Sequence, residues 1–248
     1  MAIHSPETLA SPASSGMRER LIVALDVSSA GEAQKLVARI GDAAGIYKIG
    51  LQLFTAEGPG VVRDLVSSGR KIFLDLKLHD IPNTVAHAVK SAAELGVHML
   101  TVHASGGAAM LRAAAEAAGG RLNILGVTVL TSLNDEDMQE IGVSGRVADQ
   151  VVRMAALAKT AGCQGIVASP RESLQVRKSL GEGFAIVTPG VRPAGAEVND
   201  QQRIATPAQA ISNGASHIVV GRPITHASDP AQAAQAIISE MEQARNTR

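Results

Sequence analysis

Eight apolar strand-like runs, each followed by helical spacing and none set apart by a linker, predict an α/β protein built as a single (β/α)8 TIM barrel over residues 18–248. The size agrees, since eight units in about 230 residues approach the ~250 typical of that barrel. Composition agrees as well. Hydrophobic residues make up 46% but aromatics only 2%, so the core is Ala, Val, Leu and Ile, which suits helices packed on a parallel sheet. An open doubly wound sheet rarely carries eight regular units, and no Gly-x-Gly-x-x-Gly follows the first strand.

Residues 1–17 are rich in Ser, Pro and Ala, with no basic region ahead of an apolar one. They read as a disordered lead-in or cloning remnant rather than a signal peptide. Strand one is the apolar run Leu21 to Leu25, closed by Asp26; Ser29 and Glu32 then form a capping box, and Ala33, Leu36, Val37 and Ile40 keep one helical face. Strand two, Ile46 to Gly50, precedes a helix carrying Val62 and Leu65 that stops at Gly69. Strand three spans Ile72 to Lys77, and its helix, opened by Pro82, ends at Gly96. Strand four is Met99 to His103, followed by the alanine-rich stretch from Ala108 to Ala118. Strand five, Ile124 to Leu130, has a longer connection through Asn134-Asp135-Glu136-Asp137 to a helix bearing Val147, Val151 and Met154. Strand six, Gly165 to Ser169, opens a helix at Pro170; strand seven is Phe184 to Thr188, and a long connection leads to a helix begun by Thr206-Pro207. Strand eight, His217 to Gly221, leads to the cap and first-turn pair Asp229-Pro230 and a last helix with Ile237, Ile238 and Met241 inward.

Lys plus Arg equals Asp plus Glu at 23 each, so no basic surplus points to nucleic acid or a membrane face. No apolar run is long enough to span a bilayer. The single cysteine, Cys163, lies in an apolar run, excludes an internal disulfide and a cysteine metal cluster, and fits a reducing cytoplasm.

Chemistry on this fold collects where strands end. Strand one ends at Asp26, strand two carries Lys48, and strand three carries Asp75 and Lys77 with Asp80 just beyond. Asp75 and Lys77, two apart on a strand, leave the same face, while Leu74, Leu76 and Leu78 take the other. Closure of the barrel brings Asp26, Lys48, Asp75 and Lys77 to one rim with acid and base alternating. Two carboxylates near each lysine favour its charged form, which suits a cation and proton donor better than a Schiff-base nucleophile. The plainer reading is an ion pair that holds the barrel; it weakens as charges of both signs accumulate on one rim.

Strand seven ends in Thr188-Pro189-Gly190-Val191-Arg192-Pro193, and the Gly- and Pro-rich connection through Gln201 is long enough for a lid. Strand eight ends in Gly221-Arg222-Pro223. Loops after strands seven and eight are this fold's usual phosphate site, so Arg192, Gly221 and Arg222 predict a phosphorylated substrate. Thr131 and Ser132 either donate to a heterocycle or cap the next segment, and His103 either meets ligand or fills the rim. His79 beside Asp80 hints at a metal pair, but no second histidine has ligand spacing; His87, His98, His217 and His226 read as helix-surface, strand or loop residues.

These stretches, with "ALDV", "YKIG", "FLDLKLHDIPNTV", "GVTVLTS", "TPGVRP" and "VGRPI" in order, resemble the bacterial orotidine 5′-phosphate decarboxylases across about 21–245. The Asp-x-Lys-x-x-Asp-Ile-Pro-Asn-Thr string is highly specific. Asp-x-Lys-x-x-Asp alone is shared with sugar-phosphate decarboxylases and hexulose-phosphate synthases on the same barrel. The resemblance implies conversion of orotidine 5′-monophosphate to uridine 5′-monophosphate and CO₂, the last step of de novo pyrimidine nucleotide synthesis, with neither metal nor organic cofactor. It implies Lys48, Asp75, Lys77 and Asp80 as the catalytic array, in a homodimer whose partner lends Asp80 and Thr84. It places ribose hydroxyls on Asp26 and Lys48, the pyrimidine region on Thr131 and Ser132, and phosphate on Arg192, Gln201, Gly221 and Arg222, with Ile81 and Pro189 as further substrate contacts. The rivals are a Mg²⁺-dependent sugar-phosphate decarboxylase or aldolase, and a non-catalytic nucleotide-binding barrel; Ile81 to Thr84 and "TPGVRP" count against the first, and the complete charged array against the second.

Overall fold

The computed structural model describes residues 16–193 and 205–246, which form a closed barrel of eight parallel strands in sequential order. A short helix α1 (Met17–Arg20) leads into β1 (Leu21–Ala24), α2 (Ala30–Ile40), β2 (Ile46–Gly50), α3 (Leu51–Glu57), α4 (Pro59–Ser67) and β3 (Lys71–Leu78). Then follow α5 (Pro82–Glu94), β4 (Met99–His103), α6 (Gly107–Ala118), β5 (Asn123–Val127), α7 (Asp135–Glu140) and α8 (Val147–Thr160). The circuit ends with β6 (Gly165–Val167), α9 (Ser173–Leu180), β7 (Ala185–Thr188), α10 (Pro207–Ser212), β8 (His217–Val220), α11 (Arg222–Thr225) and α12 (Pro230–Asn246). β8 closes on β1 through the pairs Leu21↔Ile218, Ile22↔Val219 and Val23↔Val220.

The strand alternation sorts two cores. Ile22, Ala24, Ile46, Phe73, Met99, Leu125, Val187 and Val219 fill the barrel interior, while the residues between them pack outward on the helices. The inward columns continue into polar residues at the top: Ile46 leads to Lys48, Phe73 to Asp75, Met99 to Thr101 and His103. One period of two thus writes both the core and the site above it. On the outer side Gly126 gives α8 room, since a Cβ there would stand 2.9 Å from that of Ala158.

Several boundaries differ from the sequence reading. Met17, placed by the sequence reading in the lead-in, is buried and opens α1; residues 1–15 lie outside the described residues. β1 stops two residues short of Asp26, β5 stops at Val127 and β6 at Val167, because apolar character outlasts the ladder at the upper rim. The capping box at α2 is half formed: Ser29 accepts from the Glu32 N–H at 3.3 Å, but the Glu32 carboxylate takes the N–H of Ser28 at 3.1 Å. Gly58-Pro59 splits the helical stretch after β2 in two, and the helix expected at Pro170 starts at Ser173. The Thr206 cap holds, with a reciprocal bond from Gln209.

The lower face is tied by two buried arginines. Arg20 donates to the carbonyls of Ala215 and Ser216 at 2.9 and 2.7 Å. Arg177 donates to Gly181, Glu182, Phe184 and Gly214 carbonyls at 2.7 to 3.1 Å, so its guanidinium is satisfied by backbone. Among the described residues no helix is long and apolar enough to cross a membrane.

Candidate active site

At the upper rim the expected charges meet. Lys48 Nζ lies 2.9 Å from Asp26 and 3.8 Å from Asp75, and Lys77 Nζ lies 3.0 Å from Asp75. The row reads acid, base, acid, base from the segment after β1 across β2 to β3. Lys48 has carboxylates on both sides; among the described residues of one chain Lys77 has only Asp75, because Asp80 points elsewhere. The side chains of Lys48 and Asp75 are only 12% and 14% exposed, so each depends on its partner for charge compensation.

Backbone geometry at Lys77 is unusual. Its φ of 51° makes it the one non-glycine residue with positive φ among the described residues, in a conformation that costs about 1–3 kcal/mol. The register explains how it arises. β3 pairs with β4 at Leu74↔Leu100 and next at Leu78↔Val102, so four steps on β3 match two on β4 and Asp75, Leu76 and Lys77 bulge. The Lys77 N–H donates to Thr101 Oγ1 at 2.8 Å, and that hydroxyl donates to Asp75 Oδ1 at 3.0 Å.

Two adjoining cavities flank the array. The larger, about 430 Å³, is lined by Asp26, Lys48, Asp75, Pro189, Arg192, Gly221, Arg222, Thr225 and His226 among others. The smaller, about 160 Å³, is mostly apolar and lined by Phe73, Lys77, Val127, Val129, Thr131 and Val167 with Lys48, Asp75 and Pro189. Lys48, Asp75, Pro189 and Val219 border both, so the charge row runs from the polar lobe through the junction into the apolar one.

Other expected residues sit apart. Asp80 is exposed and accepts from the Ile81 N–H at 2.6 Å; Ile81 is 66% exposed and Thr84 is exposed on the first turn of α5. Ser132 is exposed and borders neither lobe, and Gln201 lies outside the described residues, as does most of the expected lid. His79 packs its ring 5.3 Å from that of His103. Burial first, then the nearby His79 and Lys77, push the His103 pKa down against the pull of Asp75, favouring the neutral imidazole. Among the described residues no three His, Cys, Asp or Glu side chains cluster as a metal site.

A sequence model of the orotidine 5′-phosphate decarboxylase / HUMPS family matches residues 19–237. The chain belongs to that family. A protein named orotidine 5′-phosphate decarboxylase from Moorella thermoacetica is 51% identical over 234 residues, 91% of this chain and 93% of the relative. Another of that name, from Syntrophotalea carbinolica, is 53% identical over 232 residues, covering 90% and 95%. The crystal structure of orotidine 5′-phosphate decarboxylase from Lactobacillus acidophilus superposes with a TM-score of 0.81 at 39% identity, covering 90% of this chain and 99% of that one. The corresponding structure from Pyrococcus horikoshii gives 0.73 at 26% identity, covering 90% and 99%.

In this member of the orotidine 5′-phosphate decarboxylase / HUMPS family, the geometry also brings into the site residues that no motif marks. Thr101 lies within the apolar run of β4, and its signal is that it shares the inward column of that strand with Met99. His226 and Thr225 line the polar lobe because α11 turns the chain back after Arg222, a turn that Gly221-Arg222-Pro223 hints at.

Proposed function

We propose that this enzyme decarboxylates orotidine 5′-monophosphate to uridine 5′-monophosphate, the closing step of de novo pyrimidine nucleotide synthesis, without a cofactor. The observation that carries this reading is the charge row from Asp26 to Lys77, set between a polar lobe bordered by Arg192 and Arg222 and an apolar lobe of about 160 Å³. Phosphate goes to Arg192, Arg222, Gly221 and Gln201, with Pro189 against the nucleotide. Ribose hydroxyls go to Asp26 and Lys48, and the ring enters the apolar lobe toward Thr131, with Ser132 next to it in the chain but outside the lobe.

The chemistry follows from the positions. The C6–carboxylate bond breaks, its electron pair remains on C6 in the ring plane, and CO₂ leaves. Such a carbanion has little delocalisation, so it is stabilised by a fixed ammonium aimed at the developing charge. Lys77 supplies that charge and then transfers a proton from Nζ to C6; solvent restores the ammonium. Asp75 repels the substrate carboxylate more than it repels the transition state, from which that charge is departing. Binding of the remote phosphate supplies energy that orders the site.

The active unit is a homodimer with shared sites, in which Asp80, Ile81 and Thr84 serve the neighbouring subunit. Support comes from their position: all three are exposed at the rim, and Ile81 is a large apolar side chain left to solvent. The enzyme works in the cytoplasm, which fits the lone cysteine; Cys163 is buried and burial pushes its thiol up to about 12. The balanced charge offers nothing to nucleic acid.

The test is loss of orotidine 5′-monophosphate absorbance with and without a chelator. Equal turnover in both is expected. Turnover lost on chelation and restored by Mg²⁺ would favour the metal-dependent sugar-phosphate decarboxylase reading instead. Against that rival, Asp26 and Asp75 each hold an ammonium about 3 Å away rather than facing open space.

A further inference from the structure

We infer that Thr101 is a positioning residue for decarboxylation, locking Asp75 and Lys77 into one rigid unit through a single hydroxyl. This rests on the proposed function. Thr101 is fully buried on β4, so it does not meet substrate, yet its Oγ1 touches both catalytic side-chain carriers.

The hydrogen-bond roles are fixed by chemistry. A backbone N–H only donates, so at 2.8 Å the Lys77 amide gives its proton to Oγ1. The hydroxyl has one proton, and at 3.0 Å it goes to Asp75 Oδ1. The second carboxylate oxygen, Oδ2, accepts from Lys77 Nζ at 3.0 Å. The result is a ring: Lys77 backbone to Thr101, Thr101 to Asp75, Asp75 back to the Lys77 side chain. Each oxygen of Asp75 has its own donor, so the carboxylate cannot swing away from the site without breaking a bond.

The ring also accounts for the bulge. Opening the β3–β4 ladder between Leu74 and Leu78 removes the strand partner of the Lys77 N–H. A part-buried amide left without an acceptor is costly, and the Thr101 hydroxyl stands in for the missing carbonyl. Lys77 is thereby held at positive φ, which aims its ammonium at Asp75 instead of along the strand. A valine at position 101 would match the shape and remove both bonds. A serine would keep both and remove only a methyl.

Thr101→Val and Thr101→Ser should therefore separate in steady-state kinetics. The expected result is that Thr101→Val lowers kcat about 10- to 100-fold with KM changed less than about threefold, because misplacement of the reacting groups by about 1 Å costs that much. Thr101→Ser should stay within about threefold of the unaltered enzyme in both. A Thr101→Val enzyme with near-normal kcat, or a Thr101→Ser enzyme as impaired as Thr101→Val, would overturn the assignment. If Thr101→Val does not fold, Thr101→Ala is measured in its place, and failure of both to fold would make the hydroxyl a requirement of the fold and overturn it too. The unaltered enzyme in the same assay separates the two readings: its inactivity would reject the proposed reaction, whereas an active enzyme indifferent to Thr101→Val would reject the positioning role alone.

Discussion

Gly50 lies directly against the Lys48 ammonium: a Cβ built on it would stand 2.9 Å from Nζ, and 3.6 Å from the Asp26 carboxylate that holds Nζ. Its φ of −98° is open to any residue, so what requires glycine here is space. The end of a lysine side chain yields easily, and an alanine at this position would push the ammonium aside rather than strain the barrel. Gly50→Ala is expected to keep the thermal midpoint within about 2 °C while lowering kcat/KM about 10-fold or more, through loss of the Lys48–Asp26 contact. Calorimetry beside steady-state kinetics checks both halves; an unchanged kcat/KM would show that Lys48 relaxes without consequence.

What the sequence displays, and what it hides, follows from the range of each interaction. The inward columns of Ile46 and Lys48, or Phe73 and Asp75, are local patterns of period two, so barrel, rim and charge row were all readable from apolar spacing and strand ends. The positive φ of Lys77 was not, because it depends on a register shift against β4 and on a hydroxyl 24 residues away. Nor was Gly50 marked as a spacer, since its role depends on where Lys48 folds back. The Asp80 segment shows the same limit from the other side. Its residues are named by their resemblance, but in a single chain they face solvent, and no local pattern says what they meet.

Lys77→Ala removes the group proposed to protonate C6. Turnover should fall by several orders of magnitude, more than the 10²–10⁴-fold typical of losing proton transfer alone, because the charge that stabilises the carbanion goes with it. Circular dichroism should be unchanged, since the Lys77 side chain is at the rim and outside both cores. Turnover within tenfold of normal would remove Lys77 from that role.

Shared sites make a sharper claim. Lys77→Ala and Asp80→Ala chains, each inactive alone, should regain activity when unfolded and refolded together, to roughly a quarter of the original sites for random pairing in a symmetric dimer. If tagged mixed dimers are isolated and remain inactive, Asp80 acts within its own chain.

Arg222 borders the polar lobe with Arg192, beside the Gly221 turn. Hydrogen bonds to a charged phosphate contribute about 1.5–3 kcal/mol, so Arg222→Ala should raise KM for the nucleotide about 10- to 100-fold. A substrate lacking its phosphate should react slowly with the unaltered enzyme and gain from added phosphite, and that gain should be much smaller in Arg222→Ala. Equal activation by phosphite in both enzymes would take Arg222 out of the phosphate grip.

At the opposite end of the barrel, His217 sets an acid limit on stability. Its ring is buried at the start of β8 with Nδ1 3.1 Å from Ser216 Oγ, a hydroxyl that also lies 2.9 Å from the Ile186 carbonyl. Burial first, then the charge of Arg20 and of His98, push its pKa down to about 3. A depressed folded pKa means that the unfolded chain binds the proton more readily. The stability due to the neutral ring is thus complete above about pH 6.5, the unfolded value, and is lost progressively as pH falls toward 3. The slope from this one group reaches about 1.4 kcal/mol per pH unit. Urea unfolding between pH 7.5 and 5 should show that decline in the unaltered protein. It should be distinctly shallower in His217→Asn, whose amide keeps a donor for Ser216 but takes up no proton. Parallel slopes in the two proteins would assign the acid sensitivity to other groups.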